Sequence, residues 1–339
     1  MQLSTKWSEA AGLRVPIVNA PMGGVAGGRL ATAVSVAGGL GMIGVGSAGS
    51  TKMLETEVRH PREAGVGFGI GLIDWAVQRD PALLEAAIRA RPMLVAVSFG
   101  DDWSWAEAVR AVGIVATTQI YDVDQARRAV GAGIQVLVAR GAEGGGHGQP
   151  TIGTLALLES VLEAVDVPVL AAGGIATGRG VAAVLAAGAS GVWLGTAFAA
   201  CRESLISDPA RLALLRASGA ETVVTSAFDV ALGYPWPPQY PERVLRNDFT
   251  DRWTGHEAQL AIDRDAPTAL TAAIATGNAA MIPVDAGQGV GSLTESRPAA
   301  QVIERLFLDA FSLLRSWARR AGCRLTGVDP ARLRLAIGM

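Results

Sequence analysis

The fold is decided by residues 167–198, which read VPVLAAGGIATGRGVAAVLAAGASGVWLGTAF. Two short apolar runs, at 167–173 and 191–196, flank a stretch in which Val181 and Val184 recur at helical spacing. Each run is continuously apolar rather than alternating, which is the pattern of a parallel strand covered on both faces. The stretch therefore predicts a strand, a glycine-rich loop, a helix and a second parallel strand.

The same unit repeats along the chain before this stretch. Continuous apolar runs recur at 16–21, 40–46, 66–73, 93–99, 114–120, 134–140, 167–173 and 191–196. They start about 25 residues apart, which is the length of one β-loop-α-loop unit. Eight such strands fit a closed (β/α)8 barrel, or TIM barrel, of the α/β class. A doubly wound open sheet is the alternative, and we favour the barrel.

Helical periodicity fills the gaps between these runs. In segment 153–165 the predicted apolar stripe is Leu155, Leu158, Val161, Leu162 and Val165. Segment 122–130 opens with Asp122 and has Gln125 three residues later, which resembles a capping box. Both segments are therefore predicted to be barrel helices.

The repeat stops after residue 203, and the organisation of the chain changes there. Residues 204–297 predict a small, mainly helical inserted subdomain near the active site. Residues 298–319 return to helical periodicity. The predicted apolar side of this last helix is Val302, Leu306, Ala310, Leu313 and Leu314. We therefore expect a barrel domain at 1–203 that is completed by a C-terminal helical segment at 298–339.

Composition excludes several classes of protein. Half of the residues are apolar and 18% are charged, which predicts a large core rather than disorder. Lys plus Arg total 29 and Asp plus Glu total 31, so there is no basic excess for a nucleic acid partner. Mean hydropathy is +0.32, yet charges, turn residues or glycines interrupt every 18-residue stretch, which disfavours a membrane partner. The first residues lack an export-signal pattern, so we expect a cytoplasmic protein.

Glycine-rich loops follow most of the predicted strands, at the end where a barrel has its active site. The loop after the seventh strand reads AGGIATG, and the loop after the eighth contains GTAF. In barrels these two loops commonly form the phosphate site. We expect phosphate to bind the backbone N–H groups of Gly173, Gly174, Gly195 and Thr196 and the hydroxyl of Thr196. Tight turns are the alternative role for these glycines.

His147 is the main candidate for a catalytic residue. It lies in GAEGGGHG (141–148), a loop at the predicted mouth of the barrel and next to the predicted phosphate site. The chain has only three histidines, and an imidazole titrates near neutral pH, so it can accept or donate a proton there. A structural role is the alternative. No two histidines have the spacing of metal ligands, so no metal site is predicted.

Two further motifs have competing interpretations. Gly44, Gly46 and Gly49 form GxGxxG between a strand and a helix, which is the spacing of a dinucleotide-binding loop. No acidic ribose partner follows at the end of the next strand, so dinucleotide binding is not our preferred interpretation. Cys201 has apolar neighbours and is predicted to be a packed thiol rather than a nucleophile. With Cys323 it makes only two cysteines, too few for a disulfide framework.

Taken together, four motifs resemble the nitronate monooxygenase family. They are NAPMGG at 19–24, GAEGGGH at 141–147, LAAGGIATG at 170–178 and WLGTAF at 193–198. The resemblance implies a flavoprotein oxidoreductase that holds FMN in a (β/α)8 barrel with a small second domain. It also implies a reaction in which O2 oxidises alkyl nitronates to a carbonyl compound and nitrite.

The resemblance implies roles for individual residues. His147 matches the position of the family's catalytic base. The predicted cofactor-binding residues are Ala20, Pro21, Met22, Gly23, Gly71, Gln119, Arg140, Gly145, Gly146, Gly173, Gly174, Trp193, Leu194, Gly195 and Thr196. Arg140 stands where the family commonly has Gln, and Gly71 where it often has Asn. We expect Arg140 to bring a positive charge to the flavin or to an anionic substrate, with a salt bridge to Glu143 as the alternative.

Other functions on the same scaffold stay open at this point. The nearest is an FMN-dependent reductase that uses NAD(P)H, acting on enoyl-acyl-carrier-protein or on quinones. A barrel that binds a flavin without catalysis is a further alternative. The expected partners are a small nitronate or nitroalkane and O2, and a homodimer is left open. Trp103, Trp105 and Trp236 are candidates for the walls of the substrate pocket.

Overall fold

A computed structural model describes residues 3–320 and confirms the (β/α)8 TIM barrel. The barrel strands are β1 (Ile17–Asn19), β2 (Gly41–Gly44), β3 (Phe68–Ile73), β4 (Leu94–Ser98), β5 (Val115–Ile120), β6 (Val136–Arg140), β8 (Val169–Ala172) and β9 (Gly191–Leu194). Neighbouring strands are parallel and keep their chain order around the ring. The ring closes because Val18 pairs with Trp193 on one side and bridges to Leu40 on the other. Closure rules out the open sheet.

Helix α1 precedes the first strand, and the other helices of the barrel follow the strands and form its outer layer. They are α1 (Lys6–Ala10), α2 (Gly28–Val36), α3 (Thr51–Glu63), α4 (Asp74–Arg79), α5 (Ala82–Arg89), α6 (Trp105–Ala111), α7 (Val123–Gly131), α8 (Thr154–Ala164), α9 (Gly178–Ala186) and α10 (Thr196–Ala199). Asp122 caps α7 by accepting from the N–H of Gln125. The Gln125 side chain accepts from Tyr121 instead of Asp122, so the predicted capping box is only half formed.

Each barrel strand is buried on both of its faces. One set of side chains, including Met42 and Val138, fills the interior of the barrel. The alternating set, including Ile43 and Leu137, packs in the layer between the strands and the helices. Both faces need apolar residues, and this explains the continuous runs in the sequence.

The helix predicted at 298–319 is α16 (Ala299–Arg320), and it packs against α9 and α2 as the last helix of the barrel. The close approach of α9 and α16 depends on Gly178, where a Cβ would lie 2.4 Å from the Cβ of Asp309.

Cys323 and the rest of the predicted C-terminal segment, 321–339, lie outside the described residues. Within residues 3–320, none of the helices combines the length and the apolar character that crossing a membrane requires.

Two positions in the predicted helix stripes are wrong. Leu155 of α8 is 49% exposed, whereas Leu157 is buried. Leu313 of α16 is 36% exposed, while Ile303 lies in the core. In both helices a second apolar residue also fits the helical spacing of the predicted stripe. The pattern alone therefore could not decide which one faces the strands.

The segment between α10 and α16 contains five α-helices, and it also contributes two strands to a small antiparallel sheet. Its helices are α11 (Asp208–Arg216), α12 (Ala227–Leu232), α13 (Asp248–Trp253), α14 (Glu257–Leu260) and α15 (Ala266–Thr276). The sheet has the order β10 (Thr222–Thr225), β11 (Glu242–Leu245) and β7 (Gly146–His147). The sequence did not predict it, because β7 has only two residues and pairs with a strand that is distant in the chain. Strand β7 comes from the barrel loop that contains His147, so this sheet ties the segment to that loop.

Candidate active site

A cavity lies at the carboxyl ends of the barrel strands and contains about 1260 Å³ of empty space, including its open mouth. Besides His147, the predicted residues that line it are Ala20, Pro21, Met22, Gly23, Gly71, Gln119, Arg140, Gly145, Gly146, Gly173, Gly174, Trp193, Gly195 and Thr196. Leu194 does not line it, because its side chain is buried between the strands and the helices. The segment after β9 adds Trp236, Asp285 and Gly287 to the wall, and the predicted catalytic and cofactor-binding sets lacked these three.

The GxGxxG glycines serve the packing of two loops. A Cβ on Gly23 would lie 2.3 Å from the Cα of Gly46. A Cβ on Gly44 would lie 2.5 Å from the carbonyl carbon of Pro21. The motif therefore allows the loop after β2 to approach the loop after β1, and the two together form one wall of the cavity.

The loops after β8 and β9 form a corner of the cavity that suits an anion, and we call it the phosphate corner. Gly173 and Gly174 have φ values of +114° and +64°, a conformation that favours glycine. Among residues 3–320, the backbone N–H groups of Gly174 and Thr196 donate no hydrogen bond. The Thr196 hydroxyl accepts from the N–H of Gly287 at 3.0 Å, so it also fixes a loop over this corner. Free N–H groups of this kind match the needs of a phosphate.

Arg140 ends β6 and is 5% exposed. Its Nη2 donates to three consecutive carbonyl oxygens, those of residues 144–146, at 2.9, 3.2 and 2.9 Å. The alternative salt bridge to Glu143 does not form, because Glu143 instead accepts from the backbone and the hydroxyl of Thr154. Burial lowers the pKa of Arg140, but a guanidinium keeps its charge at neutral pH. Arg140 therefore stabilises residues 141–148, which we call the glycine loop, and places a positive charge on the cavity wall.

The donors and acceptors on the wall fit a flavin. Within the described part of the chain, the side-chain amide of Gln119 forms no hydrogen bond, although it lines the cavity. It can pair with ring nitrogen and carbonyl groups, and Arg140 can pair with a carbonyl. Met22 and Trp193 supply apolar surface beside them. Together with the free N–H groups of the phosphate corner, this wall suits a flat ring with an anionic tail.

His147 is held by contacts that the sequence did not predict. Its Nε2 lies 2.9 Å from Oδ2 of Asp229 on α12, which is 82 residues away in the chain. The indole of Trp236 stacks on the imidazole, with ring centroids 3.5 Å apart and planes 6° apart. Trp236 is held in turn by a hydrogen bond from its Nε1 to the Ser47 hydroxyl. Trp236 thus fixes the plane of the imidazole ring, and Asp229 fixes the ring edge that carries Nε2.

Aromatic side chains form the apolar part of the cavity near His147. Phe99 has a φ of +74°, which is unusual for a side chain of this size. It meets Trp236 edge-on at 5.0 Å. Of the three tryptophans predicted for the substrate pocket, only Trp236 lines the cavity. Trp103 and Trp105 are buried in the layer between strands and helices, so that prediction was wrong for them.

Buried carboxyl groups gather behind the imidazole. Glu242 pairs with His147 across the β11–β7 ladder, and its Oε1 is buried without a hydrogen bond. Burial raises the pKa of Glu242 well above its usual range, and the charges of Asp285 and Asp229 raise it further. Burial also raises the pKa of Asp285, against the lowering effect of His147. The raised pKa of Glu242 means that this carboxyl group holds its proton more tightly than an exposed glutamate does.

Replacing Glu242 with Gln should change how stability depends on pH. The raised pKa means that folded Glu242 retains a proton that the unfolded chain releases, so wild-type stability falls as pH rises above about 4.5. Gln carries no charge at any pH and removes this loss. In urea unfolding, the stability of E242Q relative to wild type should therefore be higher at pH 8 than at pH 5. E107Q, at an exposed position on α6, is the control, and an equal difference at both pH values would contradict the prediction.

Cys201 is a packed thiol, as the sequence predicted. It is buried, and its Sγ donates to the carbonyl oxygen of Ala197 at 3.6 Å. Burial raises the pKa of Cys201 to about 12. A thiol with this pKa is protonated at neutral pH and is a poor nucleophile.

The family of the chain follows from comparison with known proteins. A family model described as nitronate monooxygenase matches residues 73–309, and this range includes the glycine loop, both loops of the phosphate corner and Asp229. The chain belongs to the nitronate monooxygenase family. A nitronate monooxygenase of Paraburkholderia phytofirmans is 31% identical over 346 residues, covering 87% of this chain and 92% of that protein.

Two other similar proteins show the breadth of chemistry on this scaffold. A Rhodococcus jostii protein named (3aS,4S,5R,7aS)-5-hydroxy-7a-methyl-1-oxo-octahydro-1H-indene-4-carboxyl-CoA dehydrogenase is 32% identical over 249 residues, covering 74% of this chain and 67% of that protein. The solved structure of a nitroalkane oxidase from Streptomyces ansochromogenes has a TM-score of 0.79 and 29% identity, and it covers 91% of this chain and 99% of that one. As a member of the nitronate monooxygenase family, the chain is a flavin-dependent oxidoreductase.

Proposed function

We propose that this protein uses FMN to oxidise alkyl nitronates with O2, releasing a carbonyl compound and nitrite, and that His147 is the general base for neutral nitroalkanes. The observation that carries the proposal is the position of His147. Its imidazole lines the cavity at the carboxyl ends of the barrel strands, while its Nε2 is paired with a buried carboxyl group. An imidazole in this position can accept a proton from a bound substrate near neutral pH.

The wall residues divide the binding of the cofactor between them. The free N–H groups of Gly174 and Thr196 would hold the FMN phosphate, and Gln119 and Arg140 would pair with the ring. When bound, FMN supplies the redox chemistry that oxidises the nitronate, while the protein supplies binding, orientation and electrostatics.

The same cavity can accommodate both the anionic group and the alkyl part of the substrate. A nitronate is an anion, and the guanidinium of Arg140 places a positive charge on the wall. The alkyl part of the substrate would pack against Phe99 and Trp236, which line the cavity near His147. A neutral nitroalkane would first lose its α-proton to His147, and the electron pair of the C–H bond would remain on the nitronate.

One assay tests the proposed function directly. The purified protein should be yellow, and acid extraction should release FMN rather than FAD. Addition of propyl-2-nitronate or propionate 3-nitronate in air should release nitrite in amounts that match the substrate consumed. A colourless protein that takes up no FMN, or a yellow protein that releases no nitrite from either substrate, would overturn the proposal.

The alternative is an FMN-dependent reductase that uses NAD(P)H and acts on enoyl-acyl-carrier-protein or on quinones. This alternative is supported by the relative from Rhodococcus jostii, which is named as a carboxyl-CoA dehydrogenase and not as a nitronate monooxygenase. Anaerobic mixing with NADH or NADPH separates the two functions, because a reductase would lose its yellow colour rapidly. The nitronate proposal expects slow bleaching by either nucleotide and rapid turnover with nitronate in air.

A further inference from the structure

The contact between Asp229 and His147 determines which imidazole nitrogen is free. Asp229 and His147 are 8% and 14% exposed at their side chains, and Oδ2 lies 2.9 Å from Nε2. A carboxylate only accepts hydrogen bonds, so this contact requires a proton on Nε2. In the neutral ring, the other nitrogen, Nδ1, then carries a lone pair and no proton. Among residues 3–320, Nδ1 has no hydrogen-bond partner.

Three other ionisable groups lie near the contact between Asp229 and His147. These groups are Glu242 on β11, Asp285 in the loop after α15, and Arg140 on β6, and of the three Asp285 and Arg140 line the cavity. Three carboxyl groups so close together would repel one another if all were ionised. Burial is the largest cause that raises the pKa of Glu242, and the same holds for Asp285. The pair with His147 gives Asp229 a partner that Glu242 lacks at its Oε1.

The imidazole has little freedom to turn to a different arrangement. Trp236 covers one face at 3.5 Å, and the backbone of His147 is held by its pairing with Glu242 across β7 and β11. The ring therefore exchanges protons through its edge, where only Nδ1 lacks a partner. A ring fixed in this way loses little entropy when it takes part in a reaction.

We propose that Asp229 is a positioning residue that keeps the proton of neutral His147 on Nε2 and so makes Nδ1 the atom that accepts the α-proton of the substrate. This rests on the proposed function for the identity of the substrate. The step is balanced within the site. The C–H bond breaks, its electron pair is delocalised onto the nitro group, the proton bonds to Nδ1, and Asp229 stabilises the imidazolium that forms.

The tautomer can be measured without turnover, by 15N NMR of the histidines in the full-length holoprotein. The chain has three histidines, and H147Q identifies the signals of His147 by their loss. Above the titration of the ring, wild type should show a protonated Nε2 and an unprotonated Nδ1. In D229N the amide can either accept from a protonated Nε2 or donate to an unprotonated Nε2, so the strong preference for a proton on Nε2 should weaken measurably. D74N, which neutralises another buried carboxyl group, is the matched control and should leave the tautomer unchanged.

Either of two results would overturn this inference: a proton on Nδ1 in the neutral wild-type ring, or an unchanged tautomer in D229N. The wild-type measurement needs no variant, so a misfolded D229N would not prevent the test. Activity gives an independent readout. D229N should lower kcat/KM by ~100-fold with nitroethane and by less than about 3-fold with ethyl nitronate, which needs no proton transfer. Equal losses on both would also contradict it.

The failure of this inference can be told apart from the failure of the proposed function. If the protein releases no nitrite from any nitronate, the proposed function is wrong, and the NMR tautomer alone decides the role of Asp229. If nitrite is released but the tautomer does not depend on Asp229, the proposed function stands and the positioning role is wrong.

Discussion

Replacing His147 with Asn should lower kcat/KM for nitroethane by about 100-fold or more, while ethyl nitronate should lose less than about 3-fold. Asn keeps a polar side chain of similar size but cannot accept a proton near neutral pH. The neutral nitroalkane needs that proton transfer, whereas the preformed nitronate does not. Nitrite release with each substrate, normalised to bound flavin, gives the two values.

The matched control for this experiment is H256N. His256 is exposed and lies at the start of α14, in the segment after β9, so its replacement should leave both activities unchanged. Equal losses on the two substrates in H147N would show that the imidazole supports binding or folding rather than proton transfer. That result would remove the general base from the proposed function.

Replacing Gly41 with Ala should be the most damaging small substitution in the barrel. A Cβ on Gly41 would lie 1.8 Å from the carbonyl oxygen of Ala31 and 2.4 Å from its carbonyl carbon. These are backbone atoms of α2, so no side chain can rotate away to relieve the overlap. Strand β2 and helix α2 would have to separate, and we expect the free energy of unfolding to fall by about 3 kcal/mol or more.

Gly131 provides the control for Gly41. It ends α7 and has no atom within 4 Å of the position where its Cβ would be. G131A should therefore be neutral or slightly stabilising, by up to about 1 kcal/mol, because alanine favours the helix more than glycine does. Urea unfolding of both variants measures the difference, and equal stability of G41A and G131A would contradict the close approach of β2 and α2.

The barrel could be predicted from the sequence because each strand has the same requirement. Both faces of β4, for example, are buried, so residues 94–98 contain no charged side chain. The helices were less well determined. Leu155 and Leu157 are equally apolar and fit the same periodicity, and only the packing shows that Leu157 faces the strands. A pattern of residue types does not distinguish two similar residues on neighbouring faces.

The candidate site was predictable in part, for a similar reason. Gly173, Gly174 and His147 stand out locally, as glycine-rich loops and a rare imidazole. Asp229 does not stand out, because it is one carboxyl group among many and lies 82 residues from its partner. Strand β7 is two residues long, which is too short to leave a periodic pattern. Long-range pairing of this kind has no local indication in the sequence.

Arg140 shows how a residue can be predicted for one role and also serve another. The sequence suggested a positive charge for the flavin or the substrate, and the side chain does line the cavity. Its three hydrogen bonds to residues 144–146 add a structural role. The commonly observed Gln has fewer donors than Arg. This chain therefore holds its glycine loop with a charged group, which a Gln at the same position would not supply.

The short strand β7 has a consequence for protein engineering. Because the loop with His147 forms the edge of a sheet whose other strands come from the segment after β9, that segment is not an exchangeable module. A chimera that took residues 204–297 from a relative would exchange the positions of Asp229, Glu242 and Trp236 together, along with the strand that pairs with His147. Transplanting substrate preference between relatives will therefore require the loop that contains His147 and this segment to be exchanged as one unit.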